Sequence, residues 1–217
     1  MSSNPQWEYL PTTLILCRHG ESKWNIERRI QGQSPLAPGL SAEGRWQARR
    51  LANRLQQEGA DILYTSDLKR AYETAEIVGS WLGLRLRTDQ RWREVNLGRW
   101  QGLTGQEAKL KWPEEWAALE NGEDVPRGGG ETLAQVQRRV TTAARDLMAR
   151  HEGRTIAVVC HGGAIRTCIA GFEDYALDNL REQVGPIYNC SVTILEHDGD
   201  RLEVLTVADV SHLETPG

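Results

Sequence analysis

The chain has 217 residues, which is enough for one substantial α/β domain and short for two. Its 26 Lys and Arg residues are outnumbered by 30 Asp and Glu residues, giving a net charge of −4, and no long basic run occurs. Because a nucleic-acid partner requires a basic surface, we expect none.

The apolar runs also argue against a membrane protein. Those at residues 14–17 and 155–160 have the length of strands and are too short to cross a bilayer. Residues 1–6 carry neither the charged nor the apolar region of a secretory signal, so we expect a cytoplasmic protein. The four cysteines lie in apolar or periodic segments without a CxxC spacing. We therefore expect four buried free thiols: Cys17, Cys160, Cys168 and Cys190.

Strands and helices alternate in the first part of the chain. Apolar spacing and turn residues predict strands at 13–17, 61–64 and 84–87, with helices at 41–57 and from about 67 to 82 between them. Ser41 is a suitable N-cap for the first helix, and Ser66 or Asp67 for the second. The order is β-α-β-α-β, which is typical of a parallel sheet.

The pattern breaks between residues 92 and 130, where Gly- and Trp-rich segments surround one helical stretch at 106–119. Irregular chain of this length usually covers a site, so we interpret it as a lid. Beyond it we predict helices at 132–150, from 164 and near 174–183, a strand at 155–160, and a hairpin of 190–196 with 202–207. The sequence thus predicts a single three-layer α/β/α domain over residues 1–217. Its mostly parallel sheet has about six strands, with helices on both faces and a lid insertion near residues 92–130.

Two of the predicted strands end in a His-Gly pair. His19-Gly20 follows the strand at 13–17, and His161-Gly162 follows the strand at 155–160. Parallel strands place their carboxyl ends at one edge of a sheet, so the two histidines should lie together. Arg18 precedes His19, and Arg70 lies one turn into the helix that follows the strand at 61–64, so it can also reach this edge. Two guanidinium groups at this edge would suit a phosphate, whose oxygens match their planar donors.

Six motifs in order carry a resemblance to a known family. They are Arg18-His19-Gly20-Glu21-Ser22 with Asn25, Gln31-Gly32, Ser66-Asp67-Leu68-Lys69-Arg70, Glu94 with Gly98-Arg99-Trp100-Gln101-Gly102, Gly129-Gly130-Glu131-Thr132, and His161-Gly162. Together they resemble the histidine phosphatase superfamily, in its cofactor-dependent phosphoglycerate mutase-like branch. The resemblance extends from Leu14 to the segment at 209–213.

The resemblance implies a role for each matching residue. His19 would attack phosphorus and carry the phosphoryl group, while Arg18, Arg70 and His161 hold its oxygens and Glu94 protonates the leaving oxygen. Contacts to the substrate would come from four further residues: Asn25, Gln31, Gly32 and Gly162. Elementary chemistry agrees, because a neutral imidazole is a nucleophile near pH 7 and fixed donors around the phosphoryl group replace a metal. We therefore expect no metal and no cofactor.

The predicted reaction is hydrolysis of a small phosphorylated metabolite. Mutases of this branch have an Arg-His-Tyr-Gly run after the acid, whereas Val95 and Asn96 follow Glu94 here. The lid at 101–120 carries two cations, Lys109 and Lys111, against four glutamates, and Arg127 in the next loop could supply one further contact to a second acidic group. Hydrolysis of phosphate monoesters is therefore preferred to phosphoglycerate isomerisation, which stays the alternative. A homodimer is left open.

Two competing hypotheses come from other classes. Cys17, His19, Cys160 and His161 are all zinc-ligand types, and together they would make a metal-dependent hydrolase. Adjacent strand residues point to opposite faces, however, which counts against one shared ion. The second hypothesis is an inactive phosphate-binding module, although such a protein has no need to keep both histidines, Arg70 and Glu94.

Overall fold

The computed structural model describes residues 10–199 and 201–214. Within these ranges it contains six strands, eight α-helices and four short 3-10 helices. The strands are β1 (Thr12–Arg18), β2 (Ile62–Thr65), β3 (Leu86–Thr88), β4 (Thr155–Cys160), β5 (Val192–His197) and β6 (Leu202–Asp209). The helices are α1 (Lys23–Ile26), α2 (Ala42–Gln57), α3 (Lys69–Leu82), α4 (Gly105–Lys111), α5 (Pro113–Glu120), α6 (Leu133–Arg150), α7 (Gly162–Phe172) and α8 (Leu180–Val184).

All six strands form one sheet in the order β3-β2-β4-β1-β5-β6. The pairings among β3, β2, β4 and β1 are parallel, while β5 pairs antiparallel with both β1 and β6. The mostly parallel sheet and the β5–β6 hairpin confirm the predicted fold class. The register sets Arg18 opposite Cys160, so β1 and β4 end side by side.

The sheet carries a hydrophobic core on each face, which makes the three predicted layers. On one face Leu14, Leu16 and Val158 pack with apolar residues of α6 and α7. On the other, Ile15, Cys17 and Val159 pack with α2 and α3. Alternate residues of a strand point to opposite faces, and β1 and β4 are apolar throughout because both of their faces are covered.

The start of α3 differs from the prediction. The N-cap is Leu68, which makes no side-chain cap bond, and the helix begins at Lys69. Ser66 instead hydrogen-bonds His161, while Asp67 accepts two bonds from Arg93 at 2.6 and 2.5 Å. Both predicted caps were therefore wrong, because each polar side chain has a tertiary partner that a local pattern does not reveal.

Two other helical segments also differ. The helix predicted at 106–119 is two helices, α4 and α5, separated at Trp112 because Pro113 occupies the first position of α5 and lacks an N–H to continue α4. The stretch predicted near 174–183 is helical only at Leu180–Val184. The described residues hold no helix that is both long and apolar enough to cross a membrane.

Candidate active site

His19 lies directly beyond β1 with its ring held at both nitrogens. Its backbone N–H donates to the Cys160 carbonyl at 3.0 Å, which ties it to β4, and only 2% of the residue is exposed. Nδ1 lies 2.7 Å from the Gly20 carbonyl, and Nε2 lies 3.0 Å from Nε of Arg70. A carbonyl only accepts and a guanidinium only donates, so the proton is on Nδ1 and the lone pair is on Nε2.

The surroundings of His19 also hold the ring neutral. Burial lowers its pKa well below the ordinary value, and the charges of Arg70 and Arg18 lower it further, against a smaller opposing effect of the Gly20 bond. Neutral imidazole with its lone pair on Nε2 is the form that attacks an electrophile. Nε2 can therefore act as a nucleophile at neutral pH once the Arg70 N–H that faces it is displaced.

Arg70 is the cation closest to this lone pair. It is 2% exposed, donating from Nε to His19 and from Nη2 to the Gly32 carbonyl at 3.0 Å. Burial lowers its pKa to about 10, opposed by Glu94 and reinforced by Arg18, so it remains charged at neutral pH. Arg18 is half-buried and donates from Nη1 to the Ile187 carbonyl at 2.6 Å. Two cationic groups therefore converge on the end of β1.

His161 stands beside His19, as the paired strand ends predict. The ring centroids are 5.2 Å apart, and burial followed by the charge of Arg70 lowers its pKa well below the ordinary value. Nε2 lies 2.9 Å from Oγ of Ser66, and that oxygen also accepts the Leu68 N–H at 3.2 Å. Nδ1 is buried and has no hydrogen-bond partner in the described residues.

The Ser66 contact relates the proton on His161 to the direction of one hydrogen bond. The hydroxyl has one hydrogen, and His161 Nε2 is the acceptor that the described structure places within its reach. If Ser66 donates to Nε2, the ring proton lies on Nδ1. That N–H is then a buried donor beside the His19 ring, which suits an oxygen of a phosphoryl group.

Glu94 reaches the same edge from the segment that follows β3. Its Oε1 accepts the Val95 N–H at 2.9 Å, and Oε2 accepts the Gly163 N–H at 3.2 Å in the first turn of α7. A Cβ at Gly163 would lie only 2.2 Å from Oε1, so glycine is needed for this close approach. The carboxyl group thus sits one turn from His161, where it can exchange a proton with a leaving group.

The backbone around Glu94 is held by Arg139, a residue that the sequence did not single out. Its Nη1 donates to the carbonyls of Arg91 at 2.8 Å and Arg93 at 2.7 Å, and its Nη2 donates to the Glu94 carbonyl at 3.0 Å. Glu131 pairs with its Nε at 2.9 Å. One guanidinium group on α6 therefore fixes the backbone of residues 91–94.

The four expected substrate contacts have different surroundings. Asn25 completes the capping box of α1 by accepting the N–H of the N-cap Ser22 at 3.0 Å, and Gln31 accepts from Ser22 Oγ at 2.8 Å. The carbonyl of Gly32 accepts from Arg70, and Gly162 is the first residue of α7, where an added Cβ would lie 3.6 Å from Cδ of Arg18. Asn189, absent from the sequence prediction, donates to the His19 carbonyl at 2.9 Å. Gly32 is thus linked to His19 through Arg70, and Asn25 through Asn189, whose Nδ2 lies 3.4 Å from Asn25 Oδ1.

The aromatic residues of the segment interpreted as a lid contact one another and a neighbouring arginine. Trp116 packs against Trp100 with ring centroids 5.3 Å apart, and Arg99 stacks on Trp112 at 5.0 Å. Trp100 is buried, whereas Trp112 and Trp116 are half-buried, so both of the latter use part of their surface for packing within this segment.

The zinc hypothesis fails on geometry. Cys17 belongs to the core beneath α2 and α3, while Cys160 belongs to the core on the opposite face of the sheet. Among residues 10–199 and 201–214, no group of three or more His, Cys, Asp and Glu side chains is placed to hold a metal ion. All four cysteines are buried and free, as predicted.

Known proteins resemble this chain over most of its length. Phosphoglycerate mutase-like protein 4 of Arabidopsis thaliana is 42% identical over 210 residues, covering 94% of this chain and 88% of that protein. Phosphoserine phosphatase 1 of Hydrogenobacter thermophilus is 39% identical over 149 residues, 68% of this chain and 70% of the relative. The solved structure of Bacillus stearothermophilus YhfR is 41% identical with a TM-score of 0.83, covering 94% of this chain and 100% of that one. The family model of the histidine phosphatase superfamily (branch 1) matches residues 14–210, and the chain belongs to this family.

Proposed function

We propose that this protein is a metal-independent phosphatase that hydrolyses small phosphate monoesters through a phosphohistidine on His19. The observation that carries the proposal is the state of the His19 ring. Its Nδ1–H donates a hydrogen bond to the Gly20 carbonyl, and its Nε2 lone pair accepts one from Nε of Arg70. Hydrolase relatives such as the phosphoserine phosphatase support the same reaction class.

The first step is transfer of the phosphoryl group to the protein. The Nε2 lone pair forms a bond to phosphorus while the bond to the ester oxygen breaks, and Glu94 gives its proton to that oxygen. The Arg70 N–H that faces Nε2 moves to a phosphoryl oxygen. Arg18, Arg70 and the His161 Nδ1–H together offset the charge that gathers on the equatorial oxygens.

The second step regenerates the histidine. Ionised Glu94 takes a proton from a water molecule, the water oxygen bonds to phosphorus, and the N–P bond breaks to release phosphate. Both steps use one carboxyl group, first as acid and then as base. Water must therefore reach the site once the alcohol has left.

The test is to trap the intermediate under alkaline conditions, because acid destroys a phosphohistidine. We expect label on His19 in the wild-type protein and neither label nor turnover in His19→Ala. Turnover should survive a chelator and be inhibited by vanadate, which adopts the five-coordinate geometry of the transferring phosphoryl group. Label on another residue, or metal-restored activity after chelation, contradicts the proposal.

Phosphoglycerate mutase activity is the second candidate, because a relative that covers nearly the whole chain carries a mutase-like name. Against it, Val95 and Asn96 follow Glu94, and the Asn96 side chain accepts the Gly98 N–H at 3.0 Å. Neither supplies a cation to hold an intermediate while it turns around. Efficient isomerisation of 3-phosphoglycerate that depends on a bisphosphate primer, with little phosphate released, would select the mutase.

We also propose the wider setting of the protein. A small phosphorylated metabolite is its ligand, residues 1–217 form one domain around the shared sheet, and the protein acts in the cytoplasm. The homodimer left open by the sequence is tested by light scattering of the purified protein.

A further inference from the structure

The Gly129-Gly130-Glu131-Thr132 motif takes no part in the two steps of the proposed reaction, yet its contacts lead to Glu94. Its backbone lies directly against that of Asn96: a Cβ at Gly130 would lie only 2.0 Å from the Asn96 carbonyl oxygen, so glycine is needed there. The N–H of Glu131 donates to the same carbonyl at 2.8 Å, and Oε2 of its side chain accepts the Asn96 N–H at 2.8 Å. The motif therefore ties Glu131 to the chain two residues after the carboxyl group that is proposed to act as acid and base.

Arg139 makes five hydrogen bonds, as many as a guanidinium group has donors. Two of them, at 2.9 and 3.0 Å, go to the carboxylate of Glu131. The other three go to the backbone carbonyls of Arg91, Arg93 and Glu94. The two side chains of the ion pair are only 19% and 22% exposed. Every donor of Arg139 thus binds either the chain that leads to Glu94 or the carboxylate beside it.

Gln33 joins this ion pair to the groups around the nucleophile. Its Nε2 donates to the Glu94 carbonyl at 2.8 Å and to Oε2 of Glu131 at 3.3 Å. The residue before it is Gly32, whose carbonyl accepts from Arg70 at 3.0 Å. The backbone of the acid and the cation beside the nucleophile are therefore linked through two adjacent residues.

A general acid works only within hydrogen-bond reach of the oxygen that it protonates, and an error of about 1 Å costs on the order of 100-fold in rate. The distance between Glu94 and His19 must therefore be fixed by other parts of the chain. We propose that Arg139, Glu131 and Gln33 are positioning residues, which set the place of the Glu94 carboxyl group relative to the phosphoryl group on His19. The inference rests on the proposed function, in which Glu94 protonates the leaving oxygen.

The experiment compares two aryl esters of similar size, phenyl phosphate and p-nitrophenyl phosphate, by phosphate release. Phenolate leaves less readily than nitrophenolate and depends more on a proton from the acid. Arg139→Gln removes most of the donors, so its loss of kcat/KM should be at least about tenfold larger for phenyl phosphate. Gln33→Ala removes one of the two bonds to the Glu94 carbonyl and keeps the ion pair, so its excess loss on phenyl phosphate should be about threefold.

A double-mutant cycle separates positioning from a general weakening of the fold. In a Glu94→Gln protein the acid is absent, so Arg139→Gln and Gln33→Ala should cause no further excess loss on phenyl phosphate. Residues that only stabilise the fold would give the same loss in both backgrounds. Arg54→Gln is the matched control, because it breaks a similarly shielded ion pair on α2, in which the Arg54 side chain is 15% exposed. This control should leave the ratio of the two esters unchanged.

The outcomes separate the positioning role from the reaction itself. Equal losses on the two esters in Arg139→Gln and Gln33→Ala, or an excess loss that persists in the Glu94→Gln protein, overturns the positioning role. Gln33→Ala keeps the ion pair intact and provides this test if Arg139→Gln does not fold. A wild-type protein that releases phosphate from neither ester overturns the phosphatase itself.

Discussion

Gly163→Ala is the most informative single substitution in this site. The new Cβ would lie 2.2 Å from Glu94 Oε1 and 2.8 Å from Val95 Cγ2, whereas ordinary contacts begin near 3.4 Å. The carboxyl group must therefore move by about 1 Å, and a displacement of that size costs on the order of 100-fold in rate, or about 2.7 kcal/mol. Stability should not fall for reasons of helix propensity, because alanine is favoured over glycine within a helix by about 1 kcal/mol.

The assay measures kcat/KM for a series of phosphate esters whose leaving groups differ in pKa. A displaced acid matters most for alkyl esters, which need a proton on the departing oxygen, and least for nitrophenyl esters. Gly163→Ala should therefore show the same leaving-group dependence as Glu94→Gln. Gly105→Ala is the matched comparison, because Gly105 also opens a helix, is not among the expected site residues, and its Cβ would meet only Trp116 Cη2 at 3.4 Å; its loss should be much smaller. Equal losses in the two alanine variants, or a uniform loss across the esters, would refute the reasoning.

Three further predictions concern the histidines. Ser66→Ala leaves Nε2 of buried His161 without its partner, so urea unfolding should show a loss of about 1–3 kcal/mol together with lower kcat/KM; unchanged values contradict the assigned contact. Arg70→Lys should lower kcat/KM by roughly tenfold or more, because an ammonium lacks the fork that serves His19 and Gly32 together; near-normal kinetics would show that charge alone suffices. The lowered pKa values of His19 and His161 mean that the unfolded chain binds more protons below pH 6.5. The free energy of unfolding should therefore have its full value above that pH and fall as the pH decreases, by about 1.4 kcal/mol per pH unit for each histidine. A free energy of unfolding that stays constant between about pH 7.5 and 5.5 contradicts this prediction.

The sheet and the two histidines were predictable from local patterns. Buried parallel strands appear as short apolar runs, and the residue that follows such a run must lie at the sheet edge. That reasoning placed His19 and His161 together before any contact was known, and their rings are 5.2 Å apart. Helix ends were predicted less well where the polar residue has a tertiary partner, as Ser66 and Asp67 do.

The supporting residues had no comparable signal. Arg139 lies on a helix whose periodicity marks only the apolar face, so a polar position gives no indication of what it contacts. Asn189 lies in the loop before β5, where no repeat constrains the side chain at all. The resemblance of the motifs identified the residues proposed to contact phosphate. The residues that orient them can be recognised only from their contacts in the folded chain.

The pairing of β1 with β4 has a consequence for how the protein matures. β1 ends at Arg18, but its neighbour ends at Cys160, so the two histidines meet only after a long stretch of chain has been synthesised and has folded between them. Contacts between such distant segments form late and slowly. A nascent chain that exposes His19 should therefore be inert until β4 has emerged and docked. In refolding, recovery of turnover should lag behind the appearance of helical structure. Metabolites would therefore not react with a His19 that still lacks its partners from β4.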